Sequence, residues 1–262
     1  MTAIRQISRY KAATVHLALS AAIAALTVTL MLFVWYPPPL FQAMGGNELL
    51  LLIVGVDVVI GPLITLIIFD TRKKELVFDL AVIAVLQLAA LSYGVYAMHA
   101  GRPVFGVFVE NRIVVVAASD IEDDALAKAE RVDYRQLSQS GPQWVFADPP
   151  SDPKDAESFA FAALVGMGAQ NLPKYFVPLA ERGSQLVTAA RPLAQLTKLS
   201  QEESGRLDQA LRENGQTREQ TLFVPVLTKR AFLTALIDGR DGRLLKILPI
   251  DPRASLQGDK SK

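Results

Sequence analysis

The side chains able to do chemistry are few. The chain has no cysteine, which excludes thiol nucleophiles, disulfides and zinc–thiolate sites. Its two histidines, His16 and His99, lie inside or at the edge of apolar runs. A Ser-His triad or histidine metal site in the remainder of the chain is therefore excluded. Asp120, Glu122, Asp123 and Asp124 form an acid cluster without the Asp-x-Asp-x-Asp-Gly pattern of a calcium loop. It reads as a solvated helix start. Gly166 and Gly168 end a predicted helix rather than open one, so they do not cradle a phosphate. The sequence predicts no catalytic, metal-binding or cofactor-binding residue. What remains is Asp57, a carboxylate in the middle of an apolar run, with Gly61 and Pro62 one turn beyond it and Gln87 in the next run. An ionisable group there costs a few kcal/mol by insertion scales and must face a protein interior or cavity.

The elements that hold these residues follow from where the charges are. Of 262 residues, 51% are hydrophobic and 20% charged. Residues 1–98 carry six Lys or Arg and five Asp or Glu, against 21 of each in residues 99–262. An apolar front is thus joined to a charge-balanced globular remainder. This excludes a purely soluble enzyme, a disordered chain and a basic nucleic-acid binder. Three runs are long enough to span a bilayer: 12–36, 49–69 and 76–98. The first follows a basic tail but continues too far for a signal peptide, and reads as an uncleaved anchor.

Lys and Arg give the direction. The N-terminal tail holds Arg5, Arg9 and Lys11, the second loop holds Arg72, Lys73 and Lys74, and the first loop holds none. The tail and second loop are expected in the cytoplasm, and the first loop and everything after Met98 outside, in the periplasm of a bacterium. Trp35, Tyr36, Tyr93 and Tyr96 would then form an outer aromatic belt. Ala18 with Ala22, and Ala21 with Ala25, offer small-residue faces for close helix packing.

Depth arithmetic pairs Asp57 with Gln87. They lie about 18 Å and about 16.5 Å above the cytoplasmic ends of their spans. Two readings stand: an internal Asp57–Gln87 hydrogen bond, or recognition by Asp57 of a polar group on a partner's membrane helix. Pro62 removes the hydrogen bond to Val58 and is expected to kink the span, with Thr65 available for a freed carbonyl. An Asp57–Asp79 protease dyad fails because the acids differ by about 13 Å in depth. Asp79 instead suits the helix start beside Lys73 and Lys74.

Residues 99–254 predict an α+β domain. Its strands are Pro103–Val109 and Ile113–Ala118 as a hairpin, then Gln143–Ala147, Thr221–Leu227, Phe232–Asp238 and Leu244–Ile250. Pro173–Val177 reads as irregular or extended. Helices are expected from Asp120 to about Arg131, from Asp155 or Ala156 through Leu164, and from a Ser200/Glu203 capping box to Glu213. The first and last hairpins could share one sheet, and residues 255–262 read as a disordered tail. The fold class is a membrane protein: a three-helix transmembrane bundle followed by a periplasmic α+β domain.

The stretches YPPPLF (36–41), ELLLLIVGVDVVIGPLITLIIFD (48–70), DLAVIAVLQLAALSYG (79–94) and RPVFGVFVENRIVVVAASDI (102–121) together resemble the type IV pilin accessory proteins of the TfpX/TfpZ type. The resemblance implies a Gram-negative inner-membrane protein, without cofactor or catalytic residues, that assists the stability, assembly or surface display of a pilin. Its partners would be type IV pilin and membrane lipid, with no nucleic acid. Asp57, Gly61, Pro62 and Gln87 are the candidate docking residues, with the apolar loop Leu40–Met44 a further contact. A reading of another class is a membrane-anchored periplasmic sensor or signalling subunit. With cytoplasmic parts of about 11 and 6 residues, a separate partner would be expected to carry its output. Replacing Asp57 by Leu is expected to lower surface piliation without blocking insertion, as counted by pilus shearing and membrane immunoblot. Unchanged pili would make Asp57 incidental.

Overall fold

The computed structural model of the chain describes residues 8–148, 150, 152, 156–157 and 168–256. They form two compact units, one of residues 1–35 and 45–100, the other of 36–44 and 101–262.

The first unit holds three helices long and apolar enough to cross a membrane: Arg9–Trp35, Gly46–Ile68 and Leu76–Gly101. Ser8 caps the first, its hydroxyl accepting from the Lys11 amide at 3.2 Å. Gly45, at φ 86°, starts the second from a left-handed conformation that a side chain would disfavour. The first two spans pack along Ser20 and Ala24, which are buried, while Ala18, Ala21, Ala22 and Ala25 face outward. Small residues do line the packed face, but one or two positions away from the expected stripes. The third span approaches the second at two glycines. A Cβ on Gly94 would stand 2.6 Å from Ile53, and one on Gly61 would stand 1.8 Å from Gln87.

In the second unit eight strands make one mixed sheet: β1 (Pro103–Val109), β2 (Arg112–Ala117), β3 (Gln143–Ala147), β4 (Phe176–Pro178), β5 (Arg191–Pro192), β6 (Thr221–Leu227), β7 (Phe232–Asp238) and β8 (Leu244–Leu248). The order is β4-β3-β1-β2-β6-β7-β8, with β5 beside the start of β6. The expected hairpins do share the sheet, joined by parallel pairing of Ile113 with Val226 and Val114 with Leu227. Two cores form against it. One packs Phe105, Tyr134 and Phe176 edge to face, with centroids 5.1–6.1 Å apart. The other lays Leu207, Ala210 and Leu211 of the helix Gln201–Glu213 against Phe223, Leu236 and Leu248. That helix begins with the expected capping box: Glu203 N donates to Ser200 Oγ, and Ser200 N to Glu203 Oε2.

The single helix expected from Asp120 to Arg131 is broken. A 3-10 turn at Ala118–Asp120 precedes a short helix, Asp123–Ala127, and a second turn follows at Val132–Tyr134. Tertiary partners override the local pattern. Asp120 accepts from the Ala117 amide and pairs with Lys229, Arg135 Nε donates to the Ala129 carbonyl, and Tyr134 is drawn into the aromatic core. Most of the helix expected over 155–164, with Gly166, lies outside the described residues, as does the tail from Gln257.

The loop between the first two spans belongs to the sheet unit. Tyr36, Leu40, Phe41, Ala43 and Met44 are all buried there, and Tyr36 meets Phe41 edge to face. The short helix Leu40–Ala43 ends on the β6–β7 turn, where the Ala43 carbonyl accepts from Thr228 Oγ1 at 2.7 Å and from the Arg230 amide at 3.1 Å. Two expectations are corrected. Tyr36 is a core residue rather than part of an aromatic belt, and the apolar side chains of Leu40–Met44 are used inside the protein rather than offered to a partner.

Asp238 closes the far end of the sheet. It is fully buried and accepts from the Arg240 amide and guanidinium and from Gln216 Nε2 at 2.7–3.0 Å. The Arg240 guanidinium and amide hold its carboxyl well below the usual carboxylate range, helped by Gln216. A depressed folded value adds stability that is present above the unfolded value, about 3.9, and lost as pH falls below it. Asp238→Asn is expected to cost roughly 1.5–3 kcal/mol at neutral pH. In thermal unfolding of the detergent-solubilised protein, the gap between wild type and variant should shrink as pH drops below about 4.

Candidate functional site

The second span changes its winding around Asp57. Gly55–Ile60 is π-helical, and the Gly61 amide donates to the Val56 carbonyl five residues back. The next donor in that register would be residue 62, which is proline and has no N–H. The Asp57 carbonyl therefore loses its helical donor. Inside hydrocarbon such a group must be satisfied by another element. Gln87 supplies it: its Nε2 donates to the Asp57 carbonyl at 3.2 Å. Gly61 makes this reach possible, because any side chain there would occupy the space that the Gln87 amide fills. The sequence correctly matches Asp57 and Gln87 in depth, but the bond is to the backbone of Asp57 rather than to its carboxylate. The change of winding also moves the lost hydrogen bond from the expected Val58 carbonyl to that of Asp57.

The carboxylate itself is left over. Asp57 is 7% exposed, and neither of its oxygens has a hydrogen-bond partner among the described residues. It lines a cavity of about 180 Å³ between the first and third spans, with His16 and Ser20 on one wall and Gln87 on the other. The remaining walls are apolar, including Ile23, Ala84 and Leu91. His16 is within electrostatic reach of Asp57, and its Nδ1 pairs with Thr65 Oγ1 at 2.7 Å. Thr65 is thus used between spans rather than on a carbonyl of its own helix.

Sequence reasoning singled out Asp57, Gly61, Pro62 and Gln87 and missed His16 as their neighbour. The signal was available. His16 lies four residues into the run 12–36 and Thr65 four residues before the end of the antiparallel run 49–69, each about 6 Å from the same end, so their depths correspond. Asp79 faces a different cavity, between the second and third spans, and its carboxylate lies 3.7 Å from Lys73 at the helix start.

These features define a protein of three membrane-length helices, with one buried acid in a cavity between them, carrying a sheet domain. The family model for the fimbrial assembly protein FimB matches residues 4–45, the first span and the loop that folds into the sheet unit. Over 244 residues the chain is 31% identical to the fimbrial assembly protein of serogroup I from Dichelobacter nodosus, covering 92% of this chain and 95% of the relative. The serogroup E1 protein of the same organism is 29% identical over the same shares. The protein of serogroups C1 and C2 is 40% identical over 121 residues, which is 45% of this chain and 92% of that relative. The chain belongs to the fimbrial assembly protein family, and the resemblance to type IV pilin accessory proteins is borne out. No solved structure matches it.

The Gln87 bridge can be tested with two glycines of the same span. Gly61→Ala should displace Gln87 and weaken the association of the second and third spans by roughly 0.6–1.7 kcal/mol. Gly55→Ala should leave it unchanged, because a Cβ at Gly55 meets nothing within 4 Å. Thermal denaturation in detergent distinguishes the two variants.

Proposed function

We propose that this protein is an inner-membrane assembly factor that binds the type IV pilin subunit and assists its stability, assembly or surface display without catalysis. Relatives named for fimbrial assembly over nearly the whole chain support the process. The observation that carries pilin binding is the buried, unpartnered acid in a cavity between the spans. An acid held at that depth without an internal partner suits recognition of a second membrane segment better than packing alone. The basic tail and second loop support a cytoplasmic N-terminus and a periplasmic sheet domain. In that orientation one protein presents a site in the bilayer and a folded surface outside it, matching a subunit with a membrane helix and an external head. Membrane lipid would surround the outward-facing residues of the spans.

Two measurements test this reading. Pilin should co-purify with the tagged protein from detergent-solubilised membranes, and its absence after mild crosslinking would reject direct binding. The natural absence of cysteine makes single-cysteine labelling clean. In spheroplasts an impermeant maleimide should label Ser119→Cys and spare Arg72→Cys. The reverse pattern would reject the orientation.

A further inference from the structure

A buried carboxylate with two empty acceptor positions is an unusual thing to leave inside a membrane helix bundle. The bond that ties the third span to the second uses the backbone of Asp57, so the side chain is not needed for it. Its oxygens face a cavity whose walls are apolar apart from His16, Ser20 and Gln87. His16 already pairs with Thr65, and Gln87 donates to the carbonyl. The cavity is bordered by Leu19 and Leu88, which are 61% and 59% exposed, so its mouth opens on the face that lipid would cover.

We propose that this cavity is a receptor notch for a cationic hydrogen-bond donor, an ammonium or guanidinium, carried on a membrane-embedded segment of the partner and received by the Asp57 carboxylate. The inference rests on the pilin-binding reading above and names the chemistry of that contact. Three points support this reading. Both carboxylate oxygens lack donors, so the site has acceptor capacity and no acceptor demand. A charge buried in hydrocarbon surroundings is best offset by an opposite charge with hydrogen bonds. The space beside the acid is large enough for a side-chain end but not for a helix. The donor must come on a membrane segment, because the acid lies near mid-span, beyond the reach of side chains outside the bilayer. The flanking apolar walls would then receive the neighbouring side chains of that segment.

The test is crosslinking in native membranes that contain the full chain and pilin. Leu88→Cys, at the mouth of the cavity, is expected to form a bismaleimide adduct with a cysteine placed in the pilin hydrophobic helix. Leu86→Cys, which is 65% exposed and lies about 160° round the same span, is expected to form none. Adding Asp57→Asn should lower the Leu88→Cys adduct about three- to tenfold, and Asp57→Glu should largely keep it. If the adduct forms and Asp57→Asn leaves it unchanged, the received group is not a cation and the proposal is overturned. Equal adducts from Leu86→Cys and Leu88→Cys would overturn the notch as the binding place. No adduct from any face of the three spans would overturn pilin binding in the membrane itself, a result distinct from the first two. If the Asp57→Asn chain does not accumulate, Ala84→Phe fills the cavity without altering the acid. It should lower the adduct to a similar extent, and an unchanged adduct there also overturns the proposal.

Discussion

One carbonyl oxygen sets much of the arrangement of the membrane-length helices. In hydrocarbon a backbone acceptor without a donor costs several kcal/mol, so the Asp57 carbonyl, deprived of its helical donor by Pro62, must be reached from elsewhere. Gln87 reaches it, and can do so only because position 61 has no side chain. Proline, glycine and glutamine are thus three parts of one hydrogen bond between two spans. That bond uses the backbone of residue 57, which releases its carboxylate from structural work. An ionisable group near mid-span then borders a cavity instead of being absorbed in the bundle. The His16–Thr65 pair does for the first and second spans what Gln87 does for the second and third. Polar contacts therefore connect all three, while the apolar residues are left to face lipid or one another.

The second unit depends on a less visible constraint. A loop of Pro37-Pro38-Pro39 followed by Leu40 and Phe41 looks like a turn at a membrane surface. It instead seals part of a sheet domain that begins sixty residues later. The two hydrogen bonds accepted by the Ala43 carbonyl come from the β6–β7 turn, nearly two hundred residues along the chain. The apolar side chains of the loop are buried at that place, so the sheet unit is built from two separate parts of the sequence. The match of the family model to residues 4–45 acquires a physical sense from this. It joins the first span to the piece of the sheet unit that the span delivers.

Much of this was legible without coordinates. Span lengths come from the count of apolar residues needed to cross hydrocarbon, and the Ser200–Glu203 cap and the strands of both hairpins come from local rules. Where local rules failed, a distant partner intervened. The helix expected from Asp120 broke because Lys229 and the Ala117 amide claimed the Asp120 carboxylate and Arg135 claimed the Ala129 carbonyl. The small-residue faces of the first span were misplaced because periodicity shows that a helix can pack closely but not which face meets a neighbour.

The sequence by itself determined that the chain has three membrane-length helices and one charge-balanced α+β domain, and that Asp57 and Gln87 lie at the same depth. Those facts depend on composition, period and rise per residue, which are properties of a single segment. Only the tertiary structure decided that Gln87 bonds the carbonyl and not the carboxylate, that the His16 face of the first span turns toward the acid, and that the first loop is core. Each depends on which atoms of separate segments come within hydrogen-bonding or packing distance, and no local pattern carries that information.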